Sequence, residues 1–165
     1  VVVGILIKLD SPGPVFFKGE RIGQNGKPFL LYKFRTMISR AEKQGRPLTR
    51  KDDPRVTRLG KYLRQIKLDE LPQLINVLKG DMTLVGPRTH PIYEAEQYDL
   101  WHKHRLHTKP GITGLGQIRG RSNTKYEDVY RLDIRCSQLR PIRNLRLLSH
   151  VPPNHLINHA TNPTN

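Results

Sequence analysis

The stretch "IKLDELPQLINVLKGDM" (Ile66–Met82) sets two carboxylates, Asp69 and Glu70, side by side in a strongly basic chain. Leu71, Leu74, Ile75 and Leu78 then recur at spacings of three and four, the pattern of an amphipathic helix. Proline is tolerated in the first helical turn, where amide donors have no intrahelical partner. The spacing therefore predicts a helix opening a few residues before Pro72, with Asp69 and Glu70 in its first turn and Gly80 as its stop. A helix dipole stabilises exposed anions there by about 0.3–1 kcal/mol. Lys61, Arg64 and Lys67 precede the pair, so both carboxylates are expected to remain ionised at neutral pH.

Such a carboxylate can cap the helix, pair with a cation, bind a metal or attack an electrophile. For an isolated Asp-Glu, the cap alone is the commoner outcome. Adjacent residues on a helix point about 100° apart. The two acids are thus suited to separate tasks, one attacking while the other orients a ligand or accepts a proton. Mg²⁺ suits oxygen ligands of this kind beside a diphosphate.

The chain has 165 residues, the size of one domain with its own core. Lys and Arg number 29 against 14 Asp and Glu, a formal net charge of +15. That excess favours anionic partners such as nucleotides, nucleic acid or an acidic membrane face. Cys136 is the only cysteine, which excludes an internal disulfide and fits a reducing compartment. No zinc-type Cys/His spacing occurs, and His90, His102, His104 and His107 read as a solvated helix face. "VVVGILI" (1–7) is too short to cross a bilayer alone and has no features of a signal peptide. It reads equally as a buried strand or as the end of a longer hydrophobic helix.

"VFFKGERIGQNGKPFLLYKFRTM" (15–37) reads as a β-hairpin turning at Asn25-Gly26. Lys33 and Arg35 are two apart and share a strand face, where they could grip a phosphate or simply be solvated. "ISRAEKQGRPLTRKDDPR" (38–55) reads as a short helix and a loop, and a helical pattern begins at Thr57. "MTLVGPR" (82–88) is a short strand or extended turn presenting Arg88, whose guanidinium can hold a phosphate. "IYEAEQYDLWHKHRL" (92–106) reads as an amphipathic helix, and "YEDVYRLD" (126–133) begins another. "KPGITGLGQIRGR" (109–121) is rich in glycine, as a nucleotide cradle or an ordinary loop would be, but lacks the Lys-Ser/Thr ending of a P-loop. "PPNHLINHATNPTN" (152–165) reads as disordered or loosely attached.

Four segments in order, "SPGPVFFKGERIGQNGKPFLLYKFRTM", "DDPRVTRLGKYLR", "LDELPQLINVLKGDMTLVGPR" and "KPGITGLGQIRGR", resemble the bacterial sugar transferases, the monotopic phosphoglycosyl transferases. The likeness runs over about residues 5–133. It implies transfer of a sugar phosphate from a UDP-sugar to undecaprenyl phosphate, with release of UMP and Mg²⁺ bound. It implies Asp69 as nucleophile and metal ligand, forming a covalent phosphosugar intermediate, and Glu70 assisting with the lipid phosphate. Arg88 matches the "GPR" position and is assigned phosphate binding, with Lys33, Arg35 and Arg121 as further candidates.

The expected fold is α+β, a β-hairpin packed with several amphipathic helices and seated on a membrane surface. The expected location is the cytoplasmic face of the bacterial inner membrane. Residues 1–9 are expected to be the end of a truncated membrane helix and 10–133 the catalytic domain. Residues 134–165 are expected to be an atypical tail, disordered or shifted in reading frame near Ile134. Self-association into a homo-oligomer is left open. The competing readings are an inactive membrane-associated remnant of the family and a nucleic-acid-binding module. The latter is disfavoured, because the charge is spread along the chain without a recognisable motif.

Overall fold

The computed structural model describes residues 1–39, 41, 53–119 and 126–138. The chain is α+β. Its elements run α1 (Val2–Asp10), β1 (Phe16–Ile22), β2 (Pro28–Phe34), α2 (Arg58–Gln65) and a 3-10 turn (Leu68–Glu70). There follow α3 (Gln73–Leu78), β3 (Thr83–Val85), α4 (Ile92–Ala95), a second 3-10 segment (His102–His107), β4 (Gly111–Thr113), α5 (Leu115–Arg119) and α6 (Tyr126–Gln138). Among the described residues, no helix is long and apolar enough to cross a membrane. The short helix expected within 38–55, and the segment 152–165, lie outside the described residues.

Strands β1 and β2 pair antiparallel from Phe16↔Phe34 to Ile22↔Pro28. The connection is five residues rather than a tight two-residue turn. Asn25 (φ 55°) and Gly26 (φ 75°) both lie in the left-handed region that favours Asn and Gly, and Gly23 N–H closes the loop on Lys27 C=O at 2.8 Å. "VVVGILI" is helical within α1. The segment 92–106 is two short pieces rather than one helix, because the Asp99 carboxylate accepts the His102 N–H at 2.8 Å and starts a new turn.

Strands β3 and β4 are parallel, and glycines let their backbones touch. A Cβ on Gly111 would stand 2.0 Å from Gly86 N, and one on Gly114 would stand 2.2 Å from Gly86 O. Over residues 109–116 the glycine-rich segment is therefore a backbone-to-backbone seam behind "GPR" rather than an open ligand cradle. Val85, Leu115 and Cys136 bury one another beside it, with Leu132 against them. Helix α6 runs unbroken through Asp133, Ile134 and Cys136, all buried.

Helix α3 is turned inside out. Its buried residues are Gln73 and Asn76, while Leu71, Leu74, Ile75 and Leu78 are exposed, Leu78 to 88%. Polar bonds hold it to the hairpin instead. The Asn76 amide accepts the Tyr32 N–H at 3.1 Å and donates to Leu30 C=O at 2.8 Å, and so pairs with β2 as a neighbouring strand would. Removing this amide strands two backbone groups, at about 1–3 kcal/mol for each buried group left unsatisfied.

Asn76→Ala should therefore cost about 2–4 kcal/mol in urea denaturation, and Leu78→Ala no more than about 0.5 kcal/mol. The reverse order would contradict the inverted packing.

Candidate active site

Helix α2 starts where Thr57 caps it, its hydroxyl accepting the Gly60 N–H at 3.0 Å. It ends at Gln65, and Lys67, with a left-handed backbone (φ 58°), redirects the chain into the 3-10 turn bearing Asp69 and Glu70. The acids thus precede α3 on a turn of their own, instead of lying in its first turn. Proline is the cause. Pro72 has no N–H to give Leu68 C=O, so Leu71 N–H binds that carbonyl at 3.2 Å in the tighter i+3 pattern. Three residues per turn send the two side chains about 120° apart.

Glu70 points at cations. Lys33 Nζ, delivered by β2, lies 2.7 Å from Glu70 Oε1, and the Arg88 guanidinium lies 3.6 Å from the same oxygen. Burial alone would raise the Glu70 carboxyl. The Lys33 and Arg88 charges and the Lys33 hydrogen bond overcome it and hold Glu70 at about 2. Burial draws the Lys33 ammonium below its ordinary value, and Glu70 opposes that shift.

Asp69 behaves differently. It is 7% exposed, and its Oδ1 is buried without a hydrogen-bond partner among the described residues. Burial pushes its carboxyl above the ordinary aspartate value, and Glu70 adds to this, while Lys33, Arg64 and Lys67 pull the other way. The expectation of two alike, dipole-stabilised acids gives way to a divided pair, Glu70 saturated by cations and Asp69 unsatisfied. Of the cations expected to flank the pair, Lys61 is exposed on α2, while Arg64 is anchored by its Nε–H to Thr36 Oγ1 at 2.8 Å.

Arg35 is a correction. It does not join Lys33, because β2 ends at Phe34 and the Arg35 side chain turns to the end of α1. Its guanidinium donates to Ile7 C=O (3.2 Å), Ser11 C=O (2.5 Å), Pro12 C=O (2.9 Å) and Ser11 Oγ (3.0 Å). It is consumed as a cap for the carbonyls of a helix terminus. Arg121 lies outside the described residues. His90 is no solvated face residue either; it packs between Tyr98 and Tyr130, and its Nδ1 is 3.1 Å from Glu94.

Three residues escaped the sequence reading: Asn76, Arg105 and Asp133. Asn76 could have been found as the lone amide opposite an apolar stripe. Arg105, inside a run of histidines and lysines, carried no local signal.

The Glu70 assignment has a direct check. Its stabilising contribution is full above the unfolded value of about 4.3 and is lost as pH falls toward the folded value of about 2. Lys33→Met leaves burial with less opposition, so the Glu70 titration followed by carboxyl-carbon NMR should rise by more than about one unit. An unmoved titration would exclude the pairing.

Against known proteins, the chain matches the family model described as bacterial sugar transferase over residues 1–148. It is 46% identical over 134 residues to the galactosyl transferase CpsE of Streptococcus agalactiae, covering 74% of this chain and 30% of that protein. It is 46% identical over 125 residues to the UDP-glucose:undecaprenyl-phosphate glucose-1-phosphate transferase of Escherichia coli, covering 72% of this chain and 26% of the relative. It is 43% identical over 121 residues to the UDP-N-acetylgalactosamine-undecaprenyl-phosphate N-acetylgalactosaminephosphotransferase of Aeromonas hydrophila, covering 72% and 29%. The chain thus spans less than a third of the length of these three relatives. With the Asp69–Glu70 turn, Lys33 and Arg88 all inside the matched stretch, the chain belongs to the bacterial sugar transferase family.

Proposed function

We propose that this chain transfers a sugar-1-phosphate from a UDP-sugar to undecaprenyl phosphate, releasing UMP and starting exopolysaccharide, O-antigen or glycan assembly. The names of the Escherichia coli and Aeromonas hydrophila relatives support the reaction class, and they name different sugars. The observation that carries the reading is the buried, unpartnered Oδ1 of Asp69 next to a Glu70 already held by cations.

Release of UMP requires the bridging oxygen of the diphosphate to leave with the nucleotide. The attacked phosphorus is therefore the one that bears the sugar. An Asp69 carboxylate oxygen bonds to it as its bond to the bridging oxygen breaks, and UMP departs with that oxygen. A phosphate oxygen of undecaprenyl phosphate then attacks the same phosphorus and returns the free carboxylate. A carboxylate freed from hydrogen bonds and raised by burial is a better nucleophile than a solvated one. Arg88, with its side chain 44% exposed, can reach an incoming phosphate while its charge faces Glu70. Lys33 neutralises Glu70, so the lipid phosphate meets no uncompensated anion.

The residues fit Mg²⁺. Asp69 offers a hard oxygen with unused capacity, and among the described residues no group of three His, Cys, Asp or Glu gathers around a common point. Asp69 would hold the ion together with diphosphate oxygens and water, an arrangement that Mg²⁺ favours. When bound, it would offset charge on the transferred phosphorus.

The same reading seats the chain on a bilayer, on the cytoplasmic face of the bacterial inner membrane. Val2, Ile5, Leu6 and Leu9 form an exposed stripe on α1, Tyr62 on α2 and Ile66 just after it form another, and Leu71, just before α3, with Leu74, Ile75 and Leu78 on it forms a third. Each large apolar side chain kept from burial forgoes about 1.5–3 kcal/mol, so three such stripes on adjoining elements favour an apolar medium against them. Lys8, Arg58, Lys61 and Lys79 are exposed on the same elements and suit anionic headgroups.

The test is UMP release from a panel of UDP-sugars by the chain in anionic vesicles carrying undecaprenyl phosphate and Mg²⁺. At least one donor should turn over, and Asp69→Asn should lower the rate by about a thousandfold or more. Since only the carboxylate attacks, the rate should fall as pH drops through the Asp69 titration. Equal turnover by Asp69→Asn would remove that residue from the mechanism. Leu74→Ser with Leu78→Ser should weaken vesicle sedimentation at unchanged thermal stability; undiminished sedimentation would refute the seating.

A further inference from the structure

Arg88 lies on a turn between β3 and α4, and its side chain is half exposed. Its backbone, by contrast, is gripped from both sides by one buried ion pair. Arg105 Nη2 donates to Arg88 C=O at 2.7 Å, and Asp133 Oδ2 accepts the Arg88 N–H at 3.4 Å. Arg105 Nη2 and Asp133 Oδ2 meet each other at 2.5 Å, and both side chains are only 2% exposed. The second nitrogen of the guanidinium, Nη1, contacts the Tyr98 hydroxyl (3.2 Å) and His90 Nε2 (3.1 Å), and the group stacks on the Tyr130 ring at 4.7 Å. The pair therefore ties three separate segments, the Arg88 turn, the second 3-10 segment and α6, at one point.

We propose that Arg105 and Asp133 are positioning residues for the transfer reaction, setting the reach of Arg88 toward Glu70 and the substrate phosphate without touching substrate themselves. A buried ion pair is a poor source of stability, since well-packed apolar residues often serve as well. What it supplies here is direction. The planar fork of Arg105 can hold Asp133 and the Arg88 carbonyl together, which a lysine point charge cannot do with the same geometry. The seam of Gly86, Gly111 and Gly114 leads into the turn with backbone against backbone, where an added Cβ has no room. Misplacement of a reactive or binding group by about an ångström can cost a hundredfold in rate. The inference rests on the phosphate-binding role given to Arg88 above.

A double-mutant cycle tests it, using UMP release with the best donor and vesicle-borne undecaprenyl phosphate. Arg105→Lys should lower kcat/KM by about ten- to a hundredfold in the wild-type background and by less than about twofold in an Arg88→Ala background. Asp133→Asn, which keeps an oxygen for the Arg88 N–H but loses the charge, should show the same dependence on Arg88 and serves if Arg105→Lys does not fold. Equal losses in both backgrounds would overturn the proposal, because a general structural role ignores whether Arg88 is present. Full activity of Arg88→Ala alone would overturn it too, and would locate the fault in the role of Arg88 rather than in the strut.

Discussion

The ion pair between Lys33 and Glu70 is the contact on which the site depends. It joins the hairpin to the 3-10 turn at 2.7 Å and settles which of two neighbouring acids is spoken for. A buried carboxylate without a cation would protonate or pull the turn apart. With Lys33 and Arg88 in place, Glu70 is firmly ionised, and its neighbour is left buried with no described residue hydrogen-bonded to Oδ1. The asymmetry arises from the tight turn, which aims the two side chains in different directions, and Pro72 enforces that turn by withholding one N–H.

The inverted α3 follows the same logic. A helix that offers its leucines outward cannot use them to dock on its own protein. Asn76 replaces them with paired amide bonds to β2, and the bond lengths at Leu30 and Tyr32 set where the helix, and so the acid pair just before it, lies along the hairpin. Under the proposed function this arrangement has a purpose. The apolar stripe would enter the lipid while the catalytic turn stays at the level of the headgroup phosphates, where a lipid-linked acceptor and a soluble donor can meet.

Much of this was legible in the sequence. The hairpin, the helix after Thr57 and the "LVGPR" strand were visible because turn chemistry and apolar periodicity are local. The Asp69–Glu70 pair, Lys33 and Arg88 were marked by residue type and order. Periodicity along α3, however, cannot say which face is buried, and here the polar face is. Arg35 misled because alternation along a strand holds only while the strand lasts, and one residue beyond Phe34 the side chain caps α1 instead. The glycines of 109–116 looked equally fit for a ligand or for packing, and only the approach of Gly86 to Gly111 and Gly114 decides for packing. Arg105 and Asp133 were invisible for a plainer reason: their partnership spans 28 positions, and nothing local marks either residue.

The central claim is that a carboxylate oxygen of Asp69 becomes bonded to phosphorus during turnover. Mass spectrometry of the chain quenched with UDP-sugar and Mg²⁺ in the absence of lipid acceptor addresses this most directly. Cleavage after Lys67 and Lys79 yields one peptide, residues 68–79, whose only acids are Asp69 and Glu70. The account predicts that this peptide gains the mass of the sugar phosphate, with fragmentation locating it on Asp69. An adduct on Glu70 or on another peptide, or steady turnover with no adduct at any quench time, would contradict it.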